Sequence, residues 1–423
     1  MTTLVAERPT PSRPARAVAR PDAPLRRWCI VTPEYPPIRG GVSDHTWHLA
    51  AALAGAGDAV DVWCPPAPTV DDAEPEAAPA IPGVTVHVLP SRFGLGAILL
   101  LRRELRALPA DTRVLVQWVP TAFGRRMMNL PFALMLFSLA GRRLDLYVHE
   151  VGWDVGREPA HRGLAGVVHR VMTWCAARST RRAWVTIPAW SAQLSLLGMR
   201  GLPPDEEPTW LPVPSNVPDR ADAARVTELR RELLRRGRQQ RVLVGHFGTY
   251  GRFHMALMPH VVTRILDEAG DRTMVLVGRG SEALRDYVAG ERPELAERIV
   301  ATGGLPAEEV AAHLAACDLL VQPYDDGASA RRGSLMAGVA LGKPVVSNRG
   351  RNTEELWSLE RAIQLADTHA PHALAGAVTK LLADAALRER LAANARRLHA
   401  ERFAMTHTVA ALAGAPVDAG ASP

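Results

Sequence analysis

Short apolar runs recur along this chain, separated by longer stretches whose apolar positions fall three and four residues apart. Trp28 to Thr32, Ala59 to Trp63, Val84 to Leu89, Arg113 to Trp118, Leu144 to Val148 and Ala183 to Ile187 are the first set of runs. They read as strands, and the intervening stretches are long enough for crossover helices. Such alternation predicts an α/β protein with a parallel sheet and helices on both faces. The rhythm breaks at Leu211-Pro212-Val213-Pro214-Ser215-Asn216-Val217-Pro218, which is followed by a charged helical stretch from Ala221 to Arg236. It resumes at Arg241 to Phe247 and continues through Thr273 to Val277, Arg298 to Thr302, Leu319 to Gln322, Pro344 to Ser347 and Ala362 to Leu365. The pattern therefore predicts two doubly wound domains, residues 25–218 and 219–400, with 401–423 as a return segment and tail.

Composition narrows the class. A chain of 423 residues with 47% hydrophobic and 22% charged side chains is ordinary globular protein, longer than one core usually serves. The net charge of +6 favours anionic partners. Its arginines are spread without interleaved aromatics, which points to nucleotide-linked substrates or an anionic membrane face and away from nucleic acid. Cys29, Cys64, Cys175 and Cys317 lie in or beside apolar runs without metal spacing, so neither a metal site nor a disulfide is expected. Residues 1–24 carry prolines among Arg, Ala and Thr and read as a disordered basic tail without a signal sequence. No run of 18 apolar residues occurs, and the reading is a cytoplasmic protein. Met127 to Ala140, apolar except for Asn129 and Ser138 and flanked by Arg125-Arg126 and Arg142-Arg143, is either a buried helix or helix–helix contact, or a segment resting on an anionic inner membrane face.

Candidate chemistry concentrates in turns. Asp325-Asp326-Gly327-Ala328-Ser329-Ala330-Arg331-Arg332-Gly333-Ser334 follows the run Leu319 to Gln322 and precedes a short helical pattern. A helix start offers N–H groups to an anion, so Gly333 and Ser334 could receive a phosphate on which Arg331 or Arg332 forks. A solvated arginine pair on a surface turn would look the same. Each half also carries a glycine turn after its first strand: Gly40-Gly41 in the first and Gly248-Thr249-Tyr250-Gly251 in the second. Glycines there let a ligand approach the backbone, and Gly41 is expected either to adopt a conformation closed to other residues or to lie against a bound phosphate.

These residues resemble the GT-B sugar transferases of glycosyltransferase family 4. The resemblance rests on Pro36-Pro37 with Gly40-Gly41-Val42, on Val277-Gly278-Arg279-Gly280-Ser281-Glu282, on Gly304-Leu305-Pro306 with Glu309-Val310, and on Ala340-Leu341-Gly342-Lys343-Pro344-Val345-Val346. It runs from about Trp28 to Phe403. It implies two Rossmann-like domains facing a cleft, a nucleotide diphosphate sugar as co-substrate, no cofactor or metal, and retention of configuration. The family's paired glutamates are replaced here by Ser329 and Ala337. A subset that looks similar carries Asp-Gly-Ala-Ser and Arg-Arg-Gly-Ser at this point, as this chain does from Asp326 to Ser334.

The resemblance assigns roles to particular residues. Gly40, Gly41, Gly248, Thr249, Tyr250, Gly251, Gly278, Gly280, Leu305, Ser329, Gly333 and Ser334 would contact the donor. Arg331 and Arg332 would neutralise the diphosphate, with Arg252 as a lesser candidate, and Asp325 or Asp326 could stand in for the missing carboxylates. His149, at the end of the strand Leu144 to Val148, would meet the acceptor hydroxyl, with Asp44, His45 and Glu150 on the acceptor side. A histidine that merely caps its strand is the alternative. The expected activity is transfer of a sugar to a hydroxyl acceptor on a glycan, a lipid-linked intermediate or a small molecule. Two other readings stay open: a catalytically inactive protein that binds sugar nucleotide or a partner enzyme, and a sugar-nucleotide epimerase.

Overall fold

The computed structural model describes residues 26–68, 80–124, 127–152, 160–196, 208–235 and 241–414. The expected basic tail, Arg125-Arg126, Arg236 and residues 415–423 lie outside them. Two compact units emerge, one from residue 26 to Pro212 with Thr408 to 414, the other from Val213 to His407.

In the first unit, seven parallel strands form one sheet in the order β3-β2-β1-β4-β5-β6-β7. They are β1 (Arg27–Val31), β2 (Ala59–Cys64), β3 (Val84–Val88), β4 (Arg113–Trp118), β5 (Leu144–Val148), β6 (Arg182–Val185) and the two-residue β7 (Thr209–Trp210). Central strands are buried throughout, with Ile30 between Val62 and Leu115, which is why their sequences run apolar without alternation. The crossover helices are α1 (Gly41–Gly55), α2 (Leu95–Ala107), α3 (Leu130–Phe137), α4 (Ala160–Ser179) and α5 (Ala189–Leu196). Asn129 caps α3 by accepting from the Phe132 N–H, which sets the start of the apolar segment that the sequence left between two readings.

The second unit holds a six-stranded parallel sheet in the order β10-β9-β8-β11-β12-β13. Its strands are β8 (Val242–Phe247), β9 (Arg272–Val277), β10 (Ile299–Ala301), β11 (Leu319–Gln322), β12 (Val345–Asn348) and β13 (Gln364–Ala366). The helices are α6 (Ala223–Arg235), α7 (Arg252–Asp267), α8 (Ser281–Glu291), α9 (Ala307–Ala316), α10 (Gly333–Ala340), α11 (Leu356–Leu359), α12 (Pro371–Ala383) and α13 (Ala385–Leu398). A last helix, α14 (Met405–Ala413), leads back to the first unit, where the Arg113 guanidinium donates to the Leu412 carbonyl.

Strand order reverses once in each sheet, between β1 and β4 and between β8 and β11. Open α/β sheets bind ligands just beyond the carboxyl ends of the strands at such a switch point. There the glycines divide into two kinds. A Cβ on Gly41 would meet no atom within 4 Å, and its φ is not in the left-handed region, so the expectation of a special backbone at Gly41 is not met. Gly278 has φ +118°, and a Cβ there would overlap the Gly248 carbonyl oxygen. The loops after β8 and β9 close on each other only because this residue has no side chain.

Gly278→Ala should therefore destabilise the second unit by about 2 kcal/mol or more, the scale of a side chain forced into a left-handed conformation plus a backbone overlap. Gly41→Ala should change stability by less than about 0.5 kcal/mol. Thermal unfolding of the two variants checks both, and equal melting temperatures would remove this distinction.

Candidate functional site

Beyond β8 and β11, the second unit gathers positive charge and free helix starts. The Gly248-Thr249-Tyr250-Gly251 turn leads into α7, whose first-turn N–H groups lack intrahelical acceptors by construction and which has no side-chain cap. Tyr250 is buried, its hydroxyl bonded to His246 Nδ1 at 2.9 Å, and its backbone N–H donates to the Arg279 carbonyl. Gly280, at φ +84°, packs on the Tyr250 side chain, and the Gly278 N–H donates to the Gly303 carbonyl, which ties the turn holding Leu305 to the same place. Gly248, Thr249, Tyr250, Gly251, Gly278, Gly280 and Leu305 are thus brought to one end of the sheet. For Gly278 and Gly280 the visible reason is loop packing.

After β11 the chain turns through Asp325 and Asp326. Asp326 is 3% exposed and accepts from both Arg331 Nη2 and Arg332 Nη2, while Asn352 Nδ2 donates to its Oδ2 at 2.8 Å. Burial alone would raise this carboxyl; Arg332 and Arg331 outweigh it and hold the group far below the usual carboxylate range. Burial disfavours the Arg332 cation, and Asp326 more than restores it. Gly327 makes the turn possible, since at φ +92° a Cβ would overlap the Gly350 backbone. Asp325 is the more exposed partner, 3.3 Å from Arg332 Nη2.

Arg332 lies over the Tyr324 ring at 5.0 Å, and the Tyr324 hydroxyl shares a 2.7 Å hydrogen bond with Ser334 Oγ. Gly333 and Ser334 open α10, whose N-cap is Arg332 itself. Both side chains stay partly exposed, 18% for Arg331 and 26% for Arg332, although the Nε atom of each is buried. Arg252 is exposed. Ser329 is completely buried, its Oγ without a hydrogen-bond partner among the described residues, and Ala337 is buried within α10.

Two side chains here carry no sequence signal. His254, in the first turn of α7, is held below its ordinary pKa by burial and by Arg332, with the Thr249 backbone and Asp325 pulling the other way, so it stands among those groups. Glu354 reaches the turn from the loop after β12: its Oε1 accepts from the Ala330 N–H at 2.9 Å and its Oε2 from Trp357 Nε1 at 2.7 Å. Burial pushes its carboxyl up to about 7, although the bonds from Ala330 and Trp357 and the nearby Arg331 lower it. Only the fold brings residue 354 beside Ser329 and Ala330.

The first unit places the acceptor-side candidates beyond β1, β4 and β5. His149 is 7% exposed, its Nε2 2.6 Å from Gln117 Oε1, with its ring stacked on Tyr147 at 5.0 Å and His45 edge-on at 5.0 Å. That is more enclosed than a histidine standing at the open strand end. His45 is 3% exposed with neither ring nitrogen hydrogen-bonded among the described residues, and burial, helped by His48, pushes its pKa down to about 3. Asp44 and Glu150 are half-buried near Glu34, whose pKa is raised by burial and, against Arg92, by both carboxylates. Thr121 Oγ1 donates to Glu150 at 3.1 Å. Gly40 is extended and packs against the Glu34 carboxylate, a neighbour the sequence reading did not single out.

Two parallel-sheet units with one switch point each, and helix starts and cations at the second, match known architectures. Superposition on the sucrose-phosphate synthase of Thermosynechococcus elongatus gives a TM-score of 0.66 at 18% identity, covering 92% of this chain and 98% of that one. The fold is that of the GT-B glycosyltransferases. WaaG, a glycosyltransferase involved in lipopolysaccharide biosynthesis, aligns with a TM-score of 0.64 at 17% identity over 92% of this chain and 100% of its own. Anabaena HepE, solved in complex with UDP, gives 0.63 at 16% over 92% and 98%. Residues 241–384 match the family model described as Glycosyl transferases group 1. No curated protein matches the chain.

The ionisation of Glu354 has a measurable sign. Its folded-state pKa lies above the ordinary 4.5, so the fold favours its protonated form, and stability falls as pH rises from about 4.5 through about 7. Asp326 acts in the opposite sense and at lower pH: its contribution is complete above about 4 and is lost only in acid. Glu354→Gln should flatten the decline in melting temperature of the second unit between pH 5 and pH 7.5, leaving a pH-independent loss from the amide facing Trp357. An unchanged slope in the variant would mean that Glu354 does not titrate there.

Proposed function

We propose that this chain is a glycosyltransferase that moves a sugar from a nucleotide diphosphate sugar to a hydroxyl acceptor, without a metal and with retention of configuration. The observation that carries the reading is the arginine pair held by buried Asp326 at the carboxyl end of β11, beside the starts of α7 and α10. In sugar transfer the departing diphosphate gathers negative charge. Prepositioned guanidiniums and helix N–H groups stabilise that charge without reorganising at the moment of reaction.

In the proposed complex the Gly248 to Gly251 turn and α7 receive one phosphate, and Arg331 or Arg332 forks onto the other, with His254 close by. Departure of the leaving group on the face that the acceptor attacks needs no carboxylate nucleophile, so Ser329 and Ala337 in the glutamate places are compatible with turnover. The matched group 1 model over residues 241–384 and the UDP held by HepE support a nucleotide-sugar donor. On the acceptor side, His149 is fixed by Gln117 and Tyr147 and would order the hydroxyl, next to Asp44, His45 and Glu150.

One observation favours a second reading. His149 is nearly enclosed and both arginines are already paired, which also suits a catalytically silent protein that binds sugar nucleotide. Acceptor-dependent release of nucleoside diphosphate separates the two.

UDP-, GDP-, ADP- or dTDP-linked sugar at about 100 times its dissociation constant should stabilise the protein by about 2.7 kcal/mol. Arg332→Ala should weaken the matching nucleoside diphosphate by roughly 10- to 150-fold, the range for a hydrogen bond to a charged group, and leave the bare nucleoside nearly unaffected. Calorimetric titration of both ligands checks this. Equal losses for diphosphate and nucleoside, or none for either, would move the phosphate site away from Arg332.

A further inference from the structure

The outer face of the first unit carries apolar side chains that no part of the described chain covers. On α3 they are Leu130, Leu134 and Phe137, and on α4 Val167, Val171 and Trp174. Both sets follow the i, i+4, i+7 spacing of a single helix face. The opposite faces are committed to the core, through Phe132 and Leu136 on α3 and Met172 and Ala176 on α4. The two helices pack side by side, and the Phe137 and Trp174 rings stack with centroids 6.1 Å apart, which joins the stripes into one patch. On α2, which packs on α3, Leu95 and Leu99 are 69% and 63% exposed. A continuous apolar surface of this kind on a soluble unit marks a place of contact.

Charge indicates the partner. Arg170 and Arg178 are exposed on α4 beside its stripe, and the Arg178 guanidinium lies 5.9 Å over the Trp174 ring. Arg102, on α2, reaches across to Ser138 at the end of α3. Within the sequences of α2, α3 and α4 the sole acidic residue is Glu104, and Arg103 pairs with it. An apolar stripe with an interfacial tryptophan and an arginine rim is the surface that lies in a membrane interface: the stripe enters the acyl boundary and the guanidiniums meet headgroup phosphates. A second copy of the chain fits less well, because two arginine rims would then face each other.

We propose that this α3/α4 face seats the protein on an anionic bilayer. The sequence left Met127 to Ala140 between a buried helix or helix–helix contact and a bilayer-resting segment; in the structure α3 packs on the core and on α4 with one side and is an apolar surface on the other. Seating would hold the first unit against the membrane independently of any bound nucleotide.

Full-length protein mixed with phosphatidylglycerol/phosphatidylcholine vesicles should co-sediment with them, and should stay in solution with phosphatidylcholine alone. Leu134→Glu/Trp174→Glu, at exposed positions, should retain the circular dichroism and melting temperature of the wild type and lose vesicle affinity by at least about 100-fold. Arg170→Gln and Arg178→Gln should each lower it by roughly fivefold at low salt. Failure of the wild type to bind anionic vesicles, or equal binding by the double glutamate variant, overturns the proposal. So does a concentration-dependent dimer in sedimentation velocity that the double variant dissociates while vesicles bind neither protein, which would assign the face to a second copy.

Discussion

A carboxylate withdrawn from water stays ionised only beside a counter-charge, and Asp326 has two. Its contacts with Arg331 and Arg332 fix the turn that leads from β11 to α10, and Asn352 binds the same carboxylate from the loop after β12. With either arginine removed, Asp326 would keep the other and Asn352; with Asp326 removed, both guanidiniums would lose the counter-charge that they share. The neighbouring features share this dependence. Gly327 must lack a side chain so that the turn can press on the Gly350 backbone, Arg332 lies over Tyr324 while paired with Asp326, and Glu354 binds the Ala330 N–H within the same turn. The guanidiniums that would meet a phosphate are therefore set by the fold before any ligand arrives, and in the proposed reaction that would lower the reorganisation needed to stabilise a departing diphosphate.

The first unit solves a different problem. Its switch-point residues form a nearly dry cluster in which Tyr147, His149 and His45 pack ring against ring, with Gln117 fixing the His149 nitrogen. Such a cluster can hold an imidazole at a defined orientation, although burial also makes a charged imidazolium unfavourable there, as the lowered His45 pKa shows. Rigid inside and apolar outside, the same unit presents the α3/α4 face. One set of crossover helices thus supports the sheet and carries a surface of its own.

Much of the fold was legible because buried parallel strands have no polar face to alternate with: Leu144 to Val148 and Leu319 to Gln322 are apolar runs and are strands. β7 escaped because two residues carry no period, and its hydrogen bonding to β6 is what makes Thr209–Trp210 a strand. Candidate site residues were legible where local chemistry singles them out, as in Gly248 to Gly251 or Arg331-Arg332. His254, Glu354, Glu34 and Gln117 were not, since each acquires its neighbours only when separate strands end side by side. Glycine showed the limit most clearly. Gly41 and Gly278 look alike in sequence, yet the first is open and the second lies against a backbone carbonyl. Asp326, which the sequence offered with Asp325 as a stand-in for the missing glutamates, holds the arginine pair, a contact that the sequence does not announce.

The most direct measurement is a crystal structure of the full chain with a bound nucleoside diphosphate. A phosphate oxygen is expected within about 3 Å of an Arg331 or Arg332 guanidinium nitrogen, with Asp326 still bridging both arginines and α7 directed at the diphosphate. A diphosphate bound away from both guanidiniums, or held only after the Asp326 contacts have broken, would contradict this expectation.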